Sequence, residues 1–258
     1  MNKDTQRQFL NIVATVFMLV VNGLANALPL NGHTTGSISD RFAVYFVPAG
    51  YVFSIWGVIY VLLLAYTVYQ ALPSQRQNEA LRRIGLLPAL SSILNGVWIF
   101  MWHYELFPLT LVVMAGLLLT LIAIYLRLGI GLAPANAAVR WCLHIPYSVY
   151  LGWITVATVA NVTQLLFMLN WNGFGLGPVA WAVVMLAVGA LITGAMILTR
   201  RDIAYTLVIV WAYAGIVVKQ SATTAVAGTA AVVAVVALIA IVLVVARVIP
   251  RRVSPAIG

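Results

Sequence analysis

Apolar runs of membrane-spanning length recur along the whole chain, separated by short polar connections. A helix needs about 20 apolar residues to cross the hydrocarbon core. Runs of that kind, bounded by charge, proline or glycine, fall at residues 9–28, 48–71, 84–103, 107–128, 144–169, 178–199, 203–219 and 222–247. The pattern predicts an all-α integral membrane protein with eight transmembrane helices.

Several runs are not uniformly apolar. In the first, Asn11, Thr15, Asn22 and Asn26 share one helical face at spacings of four and seven. Residues 141–164, WCLHIPYSVYLGWITVATVANVTQ, carry two tyrosines, two tryptophans, an asparagine and a glutamine. Leucine and valine would make a better lipid-facing anchor, because an unpaired amide or hydroxyl in hydrocarbon costs on the order of a kcal/mol or more. Some of these groups therefore face something other than lipid. Tyr150, Trp153, Ala157, Asn161 and Gln164 form one stripe there. Phe53, Trp56 and Tyr60 form a second in the 48–71 run, and Asn95, Trp98 and Trp102 a third in the 84–103 run. A single tryptophan near a helix end is an ordinary interfacial anchor. Trp56, Trp98 and Trp153 sit a turn or more inside their runs and share a face with an amide or hydroxyl. Such stripes serve either as hydrogen-bonding contacts between helices or as the walls of a pocket for a flat apolar ligand with a few polar atoms.

Composition agrees with the pattern: 64% of residues are hydrophobic, 7% are charged, and mean hydropathy is +1.05. A net charge of +9 would point to nucleic acid in a soluble chain, but here the basic residues act as topology signals. With a cytoplasmic N-terminus, the inside segments hold Lys3, Arg7, Arg76, Arg82, Arg83, Arg127, Arg140, Arg200, Arg201, Arg247, Arg251 and Arg252, leaving only Arg41 and Lys219 outside. This asymmetry points to both termini in the cytoplasm and supports an even number of spans. Lys3 and Arg7 ahead of an apolar run ending in Ala25-Asn26-Ala27 also resemble a cleavable signal. The polar row argues against that, since a signal has no use for one and a bundle interior does. The single cysteine, Cys142, excludes an intrachain disulfide and reads as a buried structural thiol.

Three segments resemble the tryptophan-rich sensory protein or translocator protein (TspO/MBR) family of five-helix membrane proteins. PAGYVFSIWGVIY (48–60) is similar to its second-helix signature, LNGVWIF (94–100) to its third-helix Asn-x-x-Trp, and YLGWITVATVAN (150–161) to its fifth-helix Trp followed by Ala and Asn. The order and separation of the motifs fit, and the likeness covers roughly residues 9–169. Departures exist: Tyr51 stands where the family has tryptophan, the Phe53 to Trp56 interval is one residue shorter, and Pro146-Tyr147 lies three residues early. The cholesterol-recognition pattern is absent after Asn161. A similar pattern at Leu121, Tyr125 and Arg127 is of a kind that arises by chance, so sterol binding does not carry over.

The resemblance implies a TspO-like five-helix ligand-binding bundle over residues 1–170, followed by an additional three-helix membrane region with a basic tail over 171–258. It implies a cavity, near the end carrying the first loop, that accepts porphyrins and benzodiazepine-like or isoquinoline-like ligands. The ligand-binding positions are Phe53, Trp56, Tyr60, Asn95, Trp98, Tyr150, Trp153, Ala157 and Asn161, with the loop 29–47 as lid. The expected protein is a sensor, receptor or carrier of a porphyrin or other tetrapyrrole in a bacterial inner (plasma) membrane. It needs no cofactor and no metal, and its partners are the planar ligand and the lipid bilayer rather than nucleic acid.

Other classes find less support. An enzyme acting on porphyrin would want carboxylates or histidines deep in a span. Asp4, Asp40, Glu79, Glu105 and Asp202 all fall at ends or loops, and His33, His103 and His144 lack metal-ligand spacing. His103 beside Glu105 reads as a solvated helix end. A retinal protein would need a counter-ion for Lys219, which instead lies where it can snorkel. Ion-coupled transport would need midplane ionisable groups and an inverted repeat, and neither is found. Facilitated passage of a small hydrophobic molecule stays open as an alternative. Residues 178–247 are rich in alanine and valine and suit a scaffold or an oligomer surface, such as a homodimer contact.

Overall fold

The computed structural model describes residues 2–28, 30–132 and 135–247, with the side chain of Asn26 excepted. Arg251 and Arg252 of the expected basic tail lie outside the described residues. Within them the protein is all helical. The long helices are α1 (Lys3–Ala27), α3 (Ile55–Ala71), α5 (Leu87–His103), α6 (Phe107–Arg127), α8 (Ile145–Met168), α9 (Pro178–Arg200), α10 (Ile203–Lys219) and α11 (Thr224–Val245). Three short ones lie between them: α2 (Thr35–Ser39), α4 (Glu79–Ile84) and α7 (Ala137–Val139). Six segments are long and apolar enough to cross a membrane, whereas α5 and α10 have 17 residues each.

The breaks have local causes. Gly85 adopts φ +56 after α4, and Pro88, lacking an N–H, suits the first turn of α5. Asn11 of α1 spans this break: its amide donates to the Gly85 carbonyl at 3.2 Å and accepts from the Ala89 N–H at 3.1 Å. A π turn at Arg140–His144 leads into α8. Pro146 cannot donate to the carbonyl four residues back, and the wider turn accommodates its ring. Cys142 lies in that turn and is only half-buried, not the fully buried thiol expected.

Five helices close a ring. α1 packs on α3 and α5, α5 on α6, α6 on α8, and α8 returns to α3. The polar row of α1 faces inward, with Asn11, Thr15 and Asn22 each about 2% exposed. Gln8 and Gln70 exchange bonds between α1 and α3, each amide donating to the other's carbonyl.

The remaining helices join this ring through α10, which lies along α8 and meets the segment before α3. The Ala49 N–H donates to the Gly215 carbonyl at 3.1 Å. A Cβ on Gly215 would overlap the Val52 side chain and come within 3.0 Å of the Pro48 ring, so only glycine permits this approach. α9 and α11 pack outside α10.

The two ends of the bundle differ in charge. At one end Asp4 pairs with Arg7 at 3.2 Å and Arg82 at 2.5 Å, Arg127 reaches the Arg83 carbonyl, and Arg200 reaches the Ile130 carbonyl. At the other lie two ion pairs, Arg41 with Glu105 at 2.8 Å and Lys219 with Asp40 at 2.6 Å. Lys219 thus ends α10 in a salt bridge to the first loop.

Candidate functional site

The aromatic stripes of α3, α5 and α8 meet inside the ring, next to the first loop. Phe53, just ahead of α3, stands edge-on to Trp153 with centroids 5.7 Å apart. Trp56 stands edge-on to both Trp153 and Tyr150 at 6.1 Å and stacks on Tyr60 at 5.6 Å. Trp98 stacks on Trp102 at 5.1 Å, one turn further along α5.

Of the nine expected positions, Phe53, Trp98, Trp153, Ala157 and Asn161 line one small cavity. The other four form the layer beside it. There the Tyr60 hydroxyl donates to Asn22 Oδ1 at 2.7 Å, Asn22 Nδ2 donates to Asn95 Oδ1 at 2.7 Å, and Asn95 Nδ2 donates to the Tyr150 hydroxyl at 2.9 Å. This chain joins α3, α1, α5 and α8, so these groups are engaged with one another and fix the helices.

The cavity's own polar groups are oriented differently. The Trp98 indole donates to Asn161 Oδ1 at 3.2 Å, and the Asn161 amide donates to the Thr110 hydroxyl at 3.0 Å. The Trp153 indole nitrogen is buried and finds no acceptor among the described residues. An orphaned buried donor costs about 1–3 kcal/mol.

The loop closes the cavity. Thr34 and Ser37 form a reciprocal cap that starts α2, and Thr35 and Ser39 of α2 line the cavity. Trp102 donates to the Thr35 carbonyl at 3.2 Å, and Gln164 donates to the Ser39 hydroxyl at 2.9 Å. His103 is fully buried here: its ring meets the Thr35 hydroxyl and the Leu30 carbonyl at 3.1 Å each, and its own carbonyl accepts from Asn31. The solvated helix end expected for His103 is thereby corrected. Glu105 turns outward to Arg41, and the loop folds over the imidazole.

With the loop in this position the cavity measures about 50 Å³, room for a water or two. Pockets for drug-sized ligands run to about 300–1,000 Å³. A molecule of that size does not fit with the loop in this position.

The contribution of Thr35 and Ser39 escaped the sequence reading. Thr34-x-x-Ser37, a capping pattern, was its one local signal. Trp211 lies away from the aromatic cavity. Its indole donates to the Val52 carbonyl at 3.0 Å, and its ring meets Tyr51 edge-on.

The fold and site define a multi-pass helical membrane protein with a lidded aromatic cavity inside its helix ring. A model of the TSPO-like protein family matches residues 8–245, and the chain belongs to that family. The match runs through the last three helices as well as the first five. No curated protein and no solved structure matches the chain.

Proposed function

We propose that this protein binds a planar hydrophobic molecule, a porphyrin or other tetrapyrrole, in the aromatic cavity, and serves as a receptor or carrier rather than an enzyme. The observation that carries this reading is a cavity walled by Phe53, Trp98, Trp153 and Ala157 and covered by a separate loop, with the buried Trp153 indole left without an acceptor among the described residues. The cavity's polar atoms are amides, hydroxyls and indole N–H groups, none of which titrates near neutral pH. They suit orientation of a ligand better than proton transfer. The loop is held by a handful of hydrogen bonds, by two ion pairs worth about 0–1 kcal/mol each and by the burial of Ile38, Phe46 and Val47, so its displacement draws on the ligand's binding energy.

Trp153→Leu keeps the span apolar and removes a large ring from the wall. Affinity for protoporphyrin IX, read by direct titration, is expected to fall by about 1–1.4 kcal/mol, or about five- to tenfold. Trp211→Leu serves as the comparison and should leave affinity intact. Equal affinities of the wild type and Trp153→Leu, in folded protein, would remove Trp153 from the site.

The reading includes eight spans, both termini cytoplasmic, in a bacterial inner membrane. It rests on the eight long helices and on the gathering of arginines at one end of the bundle. Reporters fused after Gly258 and within residues 73–83 should both be cytoplasmic. An external signal from either would overturn this topology.

A further inference from the structure

A second and much larger cavity, about 930 Å³, lies between α3, α8 and α10, apart from the aromatic one. Near the lid its walls are joined by the bonds from Ala49 to Gly215 and from Trp211 to Val52. Below that joint α3 and α10 line opposite sides of a groove floored by Ser148 and Val149 of α8. The walls are apolar, and Val58, Leu207 and Trp211 are exposed along them.

The rim at the charged end has a different chemistry. Arg140, Arg200 and Arg201 stand there, against Asp202 as the one carboxylate among the lining residues. Asp202 is buried and occupied: it accepts from the Ser148 hydroxyl at 2.6 Å and caps α10 by accepting from the Tyr205 N–H at 3.0 Å. Arg200 lies 5.8 Å over the Tyr125 ring. The rim is thus net positive, three charges against one.

Depth identifies the occupant. From Asp202 to Trp211 the groove follows nine residues of α10, about 14 Å at 1.5 Å per residue. That is about half of a hydrocarbon core of about 30 Å, the depth of one leaflet. A positive rim at the charged end, an apolar trough one leaflet deep and exposed apolar walls together match a lipid. A soluble anion would leave the trough uncovered. We propose that the groove holds one acidic phospholipid of the surrounding bilayer, its phosphate against the arginine rim and an acyl chain along Val58, Leu207 and Trp211.

Native mass spectrometry of the purified full chain, titrated with phosphatidylglycerol and with phosphatidylcholine of the same acyl chains, tests the proposal. One phosphatidylglycerol should be retained per chain, about tenfold more tightly than phosphatidylcholine. Arg140→Gln, at an exposed position, should weaken phosphatidylglycerol retention about fivefold. Arg83→Gln, an exposed arginine at the same end but outside the groove, should leave it unchanged. Leu207→Trp places bulk in the trough from an exposed position and should weaken retention of both lipids. Equal retention of the two lipids, equal losses from Arg140→Gln and Arg83→Gln, full retention in Leu207→Trp, or a protein dimer in place of the lipid adduct would each overturn it.

Discussion

Gly131→Ala is expected to destabilise the protein by about 3–4 kcal/mol. Gly131 has φ +81, and its missing Cβ would overlap the backbone carbonyl of Arg200 at the end of α9. An L-residue in left-handed backbone costs roughly 1–2 kcal/mol, and overpacking adds about 1–3. Neither side of the contact can yield easily. Arg200 is held to the Ile130 carbonyl at 3.3 Å, and Arg201 is itself left-handed at φ +53. Gly129 supplies the comparison, since it has φ +61 with nothing within 4 Å of a Cβ. Gly129→Ala should lose only the backbone term. Equilibrium unfolding in mixed detergent reads both variants, and equal losses would mean that the approach of α9 to the loop after α6 is loose.

Asn95→Leu is expected to cost about 2 kcal/mol in the same measurement. Asn95 is the middle of the chain from Tyr60 through Asn22 to Tyr150, and leucine fills much of the same space without either bond. An orphaned buried polar group costs about 1–3 kcal/mol, while hydrogen bonds between membrane helices average about 0.6 kcal/mol. The lower figure applies to Asn22, which also donates to the Met18 carbonyl at 2.9 Å. Tyr150 loses the Asn95 donor at 2.9 Å and is fully buried, so the higher range applies there. A loss below about 0.5 kcal/mol would show the chain to be incidental to helix assembly.

Much of the helical frame was legible because bilayer thickness imposes a length on apolar runs. The eight expected runs coincide with eight long helices to within a few residues at most ends. The 84–103 run is shorter than expected because Gly85 and Pro88 begin α5 at Leu87. The row Asn11, Thr15 and Asn22 and the three aromatic stripes were readable because helical spacing alone puts their members on one face. What could not be read depends on the loop and on helices distant in sequence. α2 is five residues long and has no periodicity, so neither the side chains it lends to the cavity nor the burial of His103 was visible in the spacing, and the loop's place as a lid came from the family resemblance alone. Gly215 looked like one glycine in an alanine- and valine-rich region. Only the approach of Pro48 and Val52 shows that it joins α10 to the ring. The groove likewise draws its rim from Arg140, Arg200 and Arg201, which the sequence offers only as topology signals.

The proposed ligand site is the cavity that the loop closes. Ala157→Leu tests it without removing a tryptophan, because it fills the roughly 50 Å³ void from the α8 wall. Quenching of tryptophan fluorescence by protoporphyrin IX should be saturable in the wild type and weakened about tenfold or more in Ala157→Leu, as added bulk in a packed site costs about 1–3 kcal/mol. Quenching that follows the same saturation curve in both proteins would contradict the account and place the ligand elsewhere.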